Sequence, residues 1–127
     1  MIKLDPVIAV KDVEASAKWY ERVFGFSRKH GGADFAVLIN DDQQVMLCLH
    51  KWGEHLHPTL TNEDEVAGNG LLLYFKTDNM EAIRQNAQQE ACVIEEEIHQ
   101  NPNSQKPEFS LRDPDGYYLT ISDYHEY

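Results

Sequence analysis

The segment Pro6-Val-Ile-Ala-Val-Lys-Asp-Val-Glu-Ala-Ser-Ala-Lys-Trp-Tyr-Glu-Arg-Val-Phe-Gly25 decides the fold, because it joins a strand directly to a helix. Its continuous apolar run, 7–10, is typical of a strand covered on both faces. Asp12 has a side chain suited to cap a helix. The spacing of apolar residues then predicts a helix over 13–24 that ends at Gly25. Its apolar side should carry Val13, Ala17, Tyr20, Val23 and Phe24.

Three strand-like runs follow this helix. They span about Ser27–His30, Asp34–Ile39 and Gln43–Lys51, and Asn40-Asp-Asp42 has the composition of a turn between the last two. Residues 53–69 are polar and contain glycine and proline, which predicts a linker or a long loop.

The second half repeats the order of the first. Leu71–Lys76 is predicted as a strand, and Asp78-Asn-Met-Glu81 as a capping box that opens a helix ending near Glu90. The helix should bury Met80, Ile83 and Ala87. Three further strands are predicted at Cys92–Ile98, Glu108–Arg112 and Tyr117–Asp123, the last two joined by a turn at Asp113-Pro-Asp-Gly116.

Two βαβββ modules, about 1–60 and 69–127, therefore recur with a period of about 66 residues and predict an α+β fold. Neither module can bury its sheet alone, so we expect residues 1–127 to form a single domain in which the two modules pair into a curved cleft. A small ligand would bind in that cleft.

Charge and composition exclude several classes of partner. The net charge is −11, and no basic stripe exists to meet the phosphates of a nucleic acid or an anionic membrane. No apolar run approaches the ~18 residues of a membrane span and no signal peptide is evident, so we expect a cytoplasmic protein with Cys48 and Cys92 reduced. The acidic surplus serves solubility or attracts a cationic ligand.

Three segments together resemble the vicinal oxygen chelate superfamily, which comprises glyoxalases, bleomycin resistance proteins and extradiol dioxygenases. They are residues 6–28, Asp34-Phe-Ala-Val37 and Glu108-Phe-Ser-Leu-Arg-Asp-Pro-Asp-Gly116. Within the superfamily the chain is most similar to the bleomycin resistance proteins, which sequester a cationic glycopeptide drug without chemistry. One departure is that the segment Asn101–Pro107 lacks the tryptophan of those relatives, which argues against bleomycin itself as the ligand.

The enzymes of the superfamily hold a divalent ion with His and Glu side chains from four strands. The corresponding positions here are Asp5, Leu47 or Cys48, Leu72 and Thr120. A catalytic metal keeps about three protein ligands, and this set is mostly non-coordinating, so no metal and no other cofactor are expected. His55 and His57 form a His-x-His pair, which is interpreted as solvated because further ligands are not apparent.

The resemblance and the alternation of side chains along strands suggest the residues that bind a ligand. Phe35 and Trp52 are candidates for stacking, although Phe35 is equally consistent with core. His50 is a hydrogen-bonding group or general base, or else a strand-end histidine; the register decides whether it or Leu49 faces the cleft. The full candidate set is Phe35, His50, Trp52, Leu72, Tyr74, Arg112, Tyr118 and Thr120, and Arg112 has the alternative of pairing with Asp113 or Glu108. No catalytic residue is assigned.

The same relatives are homodimers that often exchange an N-terminal strand, and Pro6 suits an edge or hinge strand because it lacks an N–H donor. The sequence thus favours a homodimeric, metal-free protein that binds an aromatic or cationic compound. Two alternatives stay open. One is a glyoxalase- or dioxygenase-like lyase or isomerase with an atypical metal site, formed by Asp5, Cys48 and His50, and the other is an interaction module whose cleft is filled by its own side chains.

Overall fold

The computed structural model describes residues 1–54 and 57–126. The chain divides into two compact units between Ala67 and Gly68. Unit 1 contains β1 (Val7–Val10), α1 (Val13–Phe24), β2 (Ser27–Gly31), β3 (Phe35–Ile39) and β4 (Val45–Lys51), followed by a 3-10 turn at Pro58–Leu60. Unit 2 contains β5 (Leu73–Thr77), α2 (Met80–Gln89), β6 (Val93–Gln100), β7 (Pro107–Arg112) and β8 (Tyr118–Asp123).

Each unit has one four-stranded mixed sheet. The strand order is β1-β4-β3-β2 in unit 1 and β5-β8-β7-β6 in unit 2. In both, the first strand runs parallel to the last and the remaining pairs are antiparallel. The predicted α+β class and the repeated βαβββ order are therefore confirmed.

Helix α1 forms as its local sequence predicts. The Asp12 side chain accepts a hydrogen bond from the Ala15 N–H at 3.0 Å. Gly25 adopts a φ of 78°, a left-handed conformation that glycine tolerates best, and its N–H donates to the Glu21 carbonyl. Four of the five residues predicted on its apolar side are buried, and Phe24 is half-buried.

Helix α2 begins one residue later than the capping-box prediction. Asn79 occupies the cap position, and its side chain makes no capping hydrogen bond. Glu81 thus lies in the second helical position, where it cannot form the reciprocal bonds of a capping box, so that prediction was wrong. The predicted apolar face is correct, since Met80, Ile83 and Ala87 are all buried.

Two strand boundaries in unit 2 also differ from the predictions. β5 begins at Leu73 instead of Leu71, and β6 continues to Gln100. The loop before β7 is therefore short, and Asn101 holds it together because its Oδ1 accepts the N–H groups of Asn103 and Ser104 at 2.7 and 3.2 Å.

The turn between β7 and β8 forms at the predicted position. The Gly116 N–H donates to the Asp113 carbonyl at 3.0 Å, and the Asp113 Oδ1 accepts the N–H groups of Asp115 and Tyr117 at 2.9 and 2.8 Å. Asp113 is itself buried, so its carboxylate organises the turn from inside.

The first strand lies at an edge, as the proline before it predicted. β1 is the outermost strand of its sheet, and the Pro6 carbonyl accepts the Cys48 N–H at 2.8 Å. Within the described ranges neither cysteine forms a disulfide; Cys48 is buried and Cys92 is half-buried. Across the described ranges, no helix combines the length and the apolar character needed to span a membrane.

Candidate functional site

The two faces of the unit 2 sheet differ in chemistry. One face carries apolar side chains and packs against α2, since the Arg84 guanidinium carbon lies 6.0 Å from the ring centre of Phe109. The residues of that face on β7 and β8 are fully buried: Phe109, Leu111, Leu119 and Ile121. Because side chains alternate along a strand, the residues between them lie on the face opposite α2.

We call this opposite surface of unit 2 the polar face. Strand register aligns its side chains in three rows: Tyr74–Thr120–Ser110, Lys76–Ser122–Glu108, and Tyr118–Arg112. Ser110, Thr120 and Ser122 are at most 4% exposed. A layer of buried hydroxyl groups is unusual, because burial of polar groups is costly unless they are hydrogen-bonded.

The hydroxyl groups of the polar face find partners within unit 2. Ser110 Oγ and Thr120 Oγ1 are 2.8 Å apart and share a hydrogen bond. Ser122 Oγ donates to the Asp123 carbonyl at 3.1 Å. These neutral groups are therefore satisfied without a ligand.

Glu108 is the acidic group of the polar face, and it is only 6% exposed. Its Oε1 accepts hydrogen bonds from the Asn101 amide at 2.9 Å and the Tyr74 hydroxyl at 3.3 Å. Its Oε2 lies 4.0 Å from His99 Nε2, beyond hydrogen-bond distance. Glu108 was not among the ligand-binding residues predicted from the sequence, although its alternation with Ser110 and Arg112 along β7 was a signal that these residues share a face.

Arg112 pairs with neither of the residues expected from the sequence. Its Nε donates to Glu95 at 3.2 Å and its Nη1 to the Gly116 carbonyl at 2.9 Å, and its guanidinium lies 4.9 Å from the ring centre of Tyr118. The expected partners Asp113 and Glu108 are instead held by the turn and by Asn101. The arginine thus covers Tyr118 at the margin of the polar face.

The segment after β8 also contacts the polar face. Lys76 Nζ donates to the His125 carbonyl at 3.1 Å and lies 5.4 Å from the ring centre of Tyr124. The His125 ring packs edge-on against Tyr74 at 6.2 Å. The rings of Tyr124 and His125 therefore lie next to the row that contains Glu108, and Lys76 of that row contacts the same segment.

In unit 1, the face opposite α1 carries a smaller group of candidates. Arg28 is aligned with Leu38, and Arg28 forms ion pairs with Glu14 and Glu21 of α1. The side of the sheet that carries Arg28 and Leu38 therefore faces α1. Leu49 belongs to that side and His50 to the other. The uncertainty between those two residues is thereby resolved within unit 1.

His50 is buried at 3% exposure. Its Nδ1 donates to the Lys51 carbonyl at 2.8 Å, and its ring contacts those of Phe35 at 6.2 Å and His57 at 5.1 Å. Phe35 is half-buried, so a flat compound could reach it. The remaining half of the predicted His-x-His pair, His55, lies outside the described residues.

Two further candidates lie at strand ends. Trp52 is half-buried just after β4, and its backbone N–H donates to the Val10 carbonyl at 3.2 Å. Leu72 precedes β5 instead of lying within it and is 52% exposed. The prediction of a strand over Leu71–Lys76 is therefore wrong at this residue, because pairing with β8 begins only at Leu73.

The residues at the superfamily's metal-ligand positions do not fit a divalent ion. Leu72 offers no lone pair, and the Thr120 hydroxyl is engaged with Ser110. Burial, and secondarily the negative charge of Asp5, raises the pKa of the Cys48 thiol, which opposes the thiolate that a metal needs. Within the described ranges, no group of three His, Cys, Asp or Glu side chains is arranged to hold a metal.

Comparisons with known proteins agree with this fold. Residues 3–121 match the family model described as the Glyoxalase/Bleomycin resistance protein/Dioxygenase superfamily. None of the curated proteins compared with the chain matches it.

Among solved structures, an integron cassette protein from the mobile metagenome of V. cholerae is 25% identical, with a TM-score of 0.73, over 98% of this chain and 97% of the other. A protein from the mobile metagenome of V. pseudocholerae is 26% identical, with a TM-score of 0.73, over 99% and 97%. A lactoylglutathione lyase from Agrobacterium tumefaciens is 17% identical over 96% and 92%, with a TM-score of 0.71, and shares the fold.

Proposed function

The chain belongs to the glyoxalase/bleomycin resistance protein/dioxygenase superfamily, and on that premise we propose that it binds and sequesters an aromatic or cationic small molecule without a metal. The observation that carries this proposal is the polar face, where aromatic rings and buried polar groups replace metal-ligating side chains. Binding alone needs no Lewis acid, and the residues present can supply stacking and hydrogen bonds.

Aromatic contact would supply much of the affinity. Within unit 2, Tyr74 and Tyr118 of the polar face are proposed to stack on a ligand, with Thr120 lining the same face. Within unit 1, Phe35 and Trp52 are proposed to stack on a ligand, with His50 as a polar contact. Each good aromatic or cation–π contact contributes on the order of 0.5–2 kcal/mol. The net charge of −11 would raise the local concentration of a cationic compound.

Tryptophan fluorescence tests the proposal. Trp19 is buried in α1 against Tyr20 and Phe24, so the variant Trp19→Phe leaves Trp52 as the reporter and Trp52→Phe is the matched control. Bleomycin and a panel of cationic and aromatic drugs are titrated with and without added divalent metal. Saturable quenching of Trp52 without metal is expected; a response only with metal, or none to any compound, would refute the proposal.

An enzymatic function is the alternative. Cys48 and His50 share the face of β4 opposite α1, and the negative charge of Asp5 acts on Cys48. In the described ranges these three side chains are not arranged to hold a metal, so an atypical metal site formed by them requires a rearrangement. Elemental analysis of protein purified without chelators or a metal-affinity tag decides between the two functions. Stoichiometric metal would favour a lyase, isomerase or dioxygenase activity.

We also propose a homodimer in which the N-terminal segment pairs with the partner chain. The proposal is supported by the edge position of β1 and by the exposure of Met1, Ile2, Leu4 and Val7. Light scattering at micromolar concentration should give twice the mass of 14.6 kDa. A monomer mass would refute the dimer without affecting the binding proposal.

A further inference from the structure

Glu108 differs from the other buried polar groups of its face in one respect. The hydroxyls of Ser110, Thr120 and Ser122 are neutral and satisfied within unit 2. Glu108 is a carboxylate with its side chain 9% exposed, and both of its hydrogen bonds go to Oε1. No donor among the described residues, 1–54 and 57–126, makes a hydrogen bond to Oε2 of Glu108.

A carboxylate can accept about four hydrogen bonds, and a buried one is costly unless it is paired and hydrogen-bonded. Asn101 and Tyr74 fix the orientation of the Glu108 carboxylate but bring no charge. His99, at 4.0 Å from Oε2, donates its other ring nitrogen, Nδ1, to the Glu97 carbonyl at 2.9 Å. Two hydrogen bonds therefore orient the Glu108 carboxylate through Oε1, and Oε2 can accept a hydrogen bond from a donor outside the chain.

The surroundings favour a cationic donor attached to an aromatic ring. Residues 65–127 carry twelve acidic and four basic side chains. Lys76, the cation in the same row, is already held by the His125 carbonyl and the Tyr124 ring. The Tyr74 hydroxyl donates to Glu108, and the Tyr74 ring meets the His125 ring edge-on, so an aromatic ring of a ligand can contact these side chains while its protonated nitrogen donates to Oε2.

We infer that Glu108 is the specificity-determining residue that binds the protonated nitrogen of a cationic aromatic ligand through Oε2. This inference rests on the proposed binding function and deepens it, because it selects cations over neutral aromatics. Charge-assisted hydrogen bonds are roughly twice as strong as neutral ones, so the selectivity should be measurable in binding constants.

A matched pair of dyes tests the inference. Acridine and 9-aminoacridine have the same three fused rings, but only 9-aminoacridine is protonated at pH 7.5. Their dissociation constants are measured by fluorescence for the wild type, for Glu108→Gln and for Glu81→Gln. The last is the control, because it makes the same charge change on exposed Glu81 in α2, on the other side of the sheet.

Wild type and Glu81→Gln should prefer 9-aminoacridine by roughly tenfold, and Glu108→Gln should lose this preference while it keeps its affinity for acridine. Glu108→Asp, which keeps the charge, should retain a preference. If Glu108→Gln folds and still prefers the cation tenfold, the inference is overturned but the binding function stands. If the wild type binds neither dye, both fail.

A measurement on the wild type covers the case in which Glu108→Gln does not fold. With carboxyl-¹³C-labelled glutamate, the Glu108 resonance should shift on addition of 9-aminoacridine and stay unchanged with acridine. No shift in the presence of bound 9-aminoacridine would overturn the role of Glu108.

Discussion

Replacing Asp113 with alanine should destabilise the protein strongly, although the residue lies in a turn. Asp113 Oδ1 accepts two backbone N–H groups, from Asp115 and from buried Tyr117. A buried donor left without an acceptor costs about 1–3 kcal/mol, and the loss of the second bond costs about 1 kcal/mol. The substitution should therefore cost about 2–4 kcal/mol of unfolding free energy.

This cost translates into a change of melting temperature. The unfolding entropy is about 2.1 cal/mol/K per residue, so the 127 residues correspond to about 0.27 kcal/mol per degree. The expected decrease for Asp113→Ala is about 7–15 °C, measured by circular dichroism and checked by urea unfolding.

Two further variants serve as comparisons for Asp113→Ala. Asp113→Asn retains a side-chain oxygen and should lose less than the alanine variant. Exposed Asp41, in the turn before β4, is the control, and Asp41→Ala should change stability by no more than about 0.5 kcal/mol. If Asp113→Ala melts within about 2 °C of the wild type, the buried carboxylate does not organise the turn and the reasoning fails.

Further substitutions and reagents test other contacts. Iodoacetamide should modify Cys48 slowly in the folded protein at pH 8 and quickly in urea, because burial and then Asp5 raise the pKa of the thiol; equal rates by mass spectrometry would contradict this. Arg84 holds the pKa of Glu97 below its usual range, so this pair stabilises the fold above the ordinary glutamate pKa and its contribution is lost as the pH falls through the lowered value. Melting temperatures of wild type and Glu97→Gln should accordingly differ at pH 7 and converge towards pH 3, whereas a constant difference would argue against the pair. Arg112→Ala should cost less than about 1 kcal/mol in urea unfolding, since its ion pair is exposed; a larger loss would mean that its bond to the turn carbonyl dominates.

The features that were predictable from the sequence are those with local causes. Helix α1 was correct because Asp12 and Gly25 define its ends within a few residues of the bonds they make. The turn at Asp113–Gly116 was correct for the same reason. The start of α2 was wrong by one residue because Asp78 and Asn79 are both residue types favoured at a helix N-cap, so the local sequence does not distinguish between them.

The candidate site was less predictable because its contacts are distant in sequence. Glu108 is held by Tyr74, 34 residues earlier, and by Asn101, 7 residues earlier, and both contacts depend on strand register. Periodicity could identify which residues of β8 share a face, but it could not show that Leu72 lies outside β5, since an apolar residue looks the same on either side of a strand boundary.

The parallel pairing of the first and last strands in each unit has a consequence for how the chain folds. Val7 meets Cys48 and Leu73 meets Leu119 across more than forty residues, whereas β7 and β8 are joined by a tight turn. Closing a long loop costs entropy before any contact compensates for it, so the hairpins should assemble first and β1 and β5 should join their sheets last. Both strands also lie at the edges of their sheets, so we expect their amide hydrogens to exchange with solvent before those of the central strands β7 and β8.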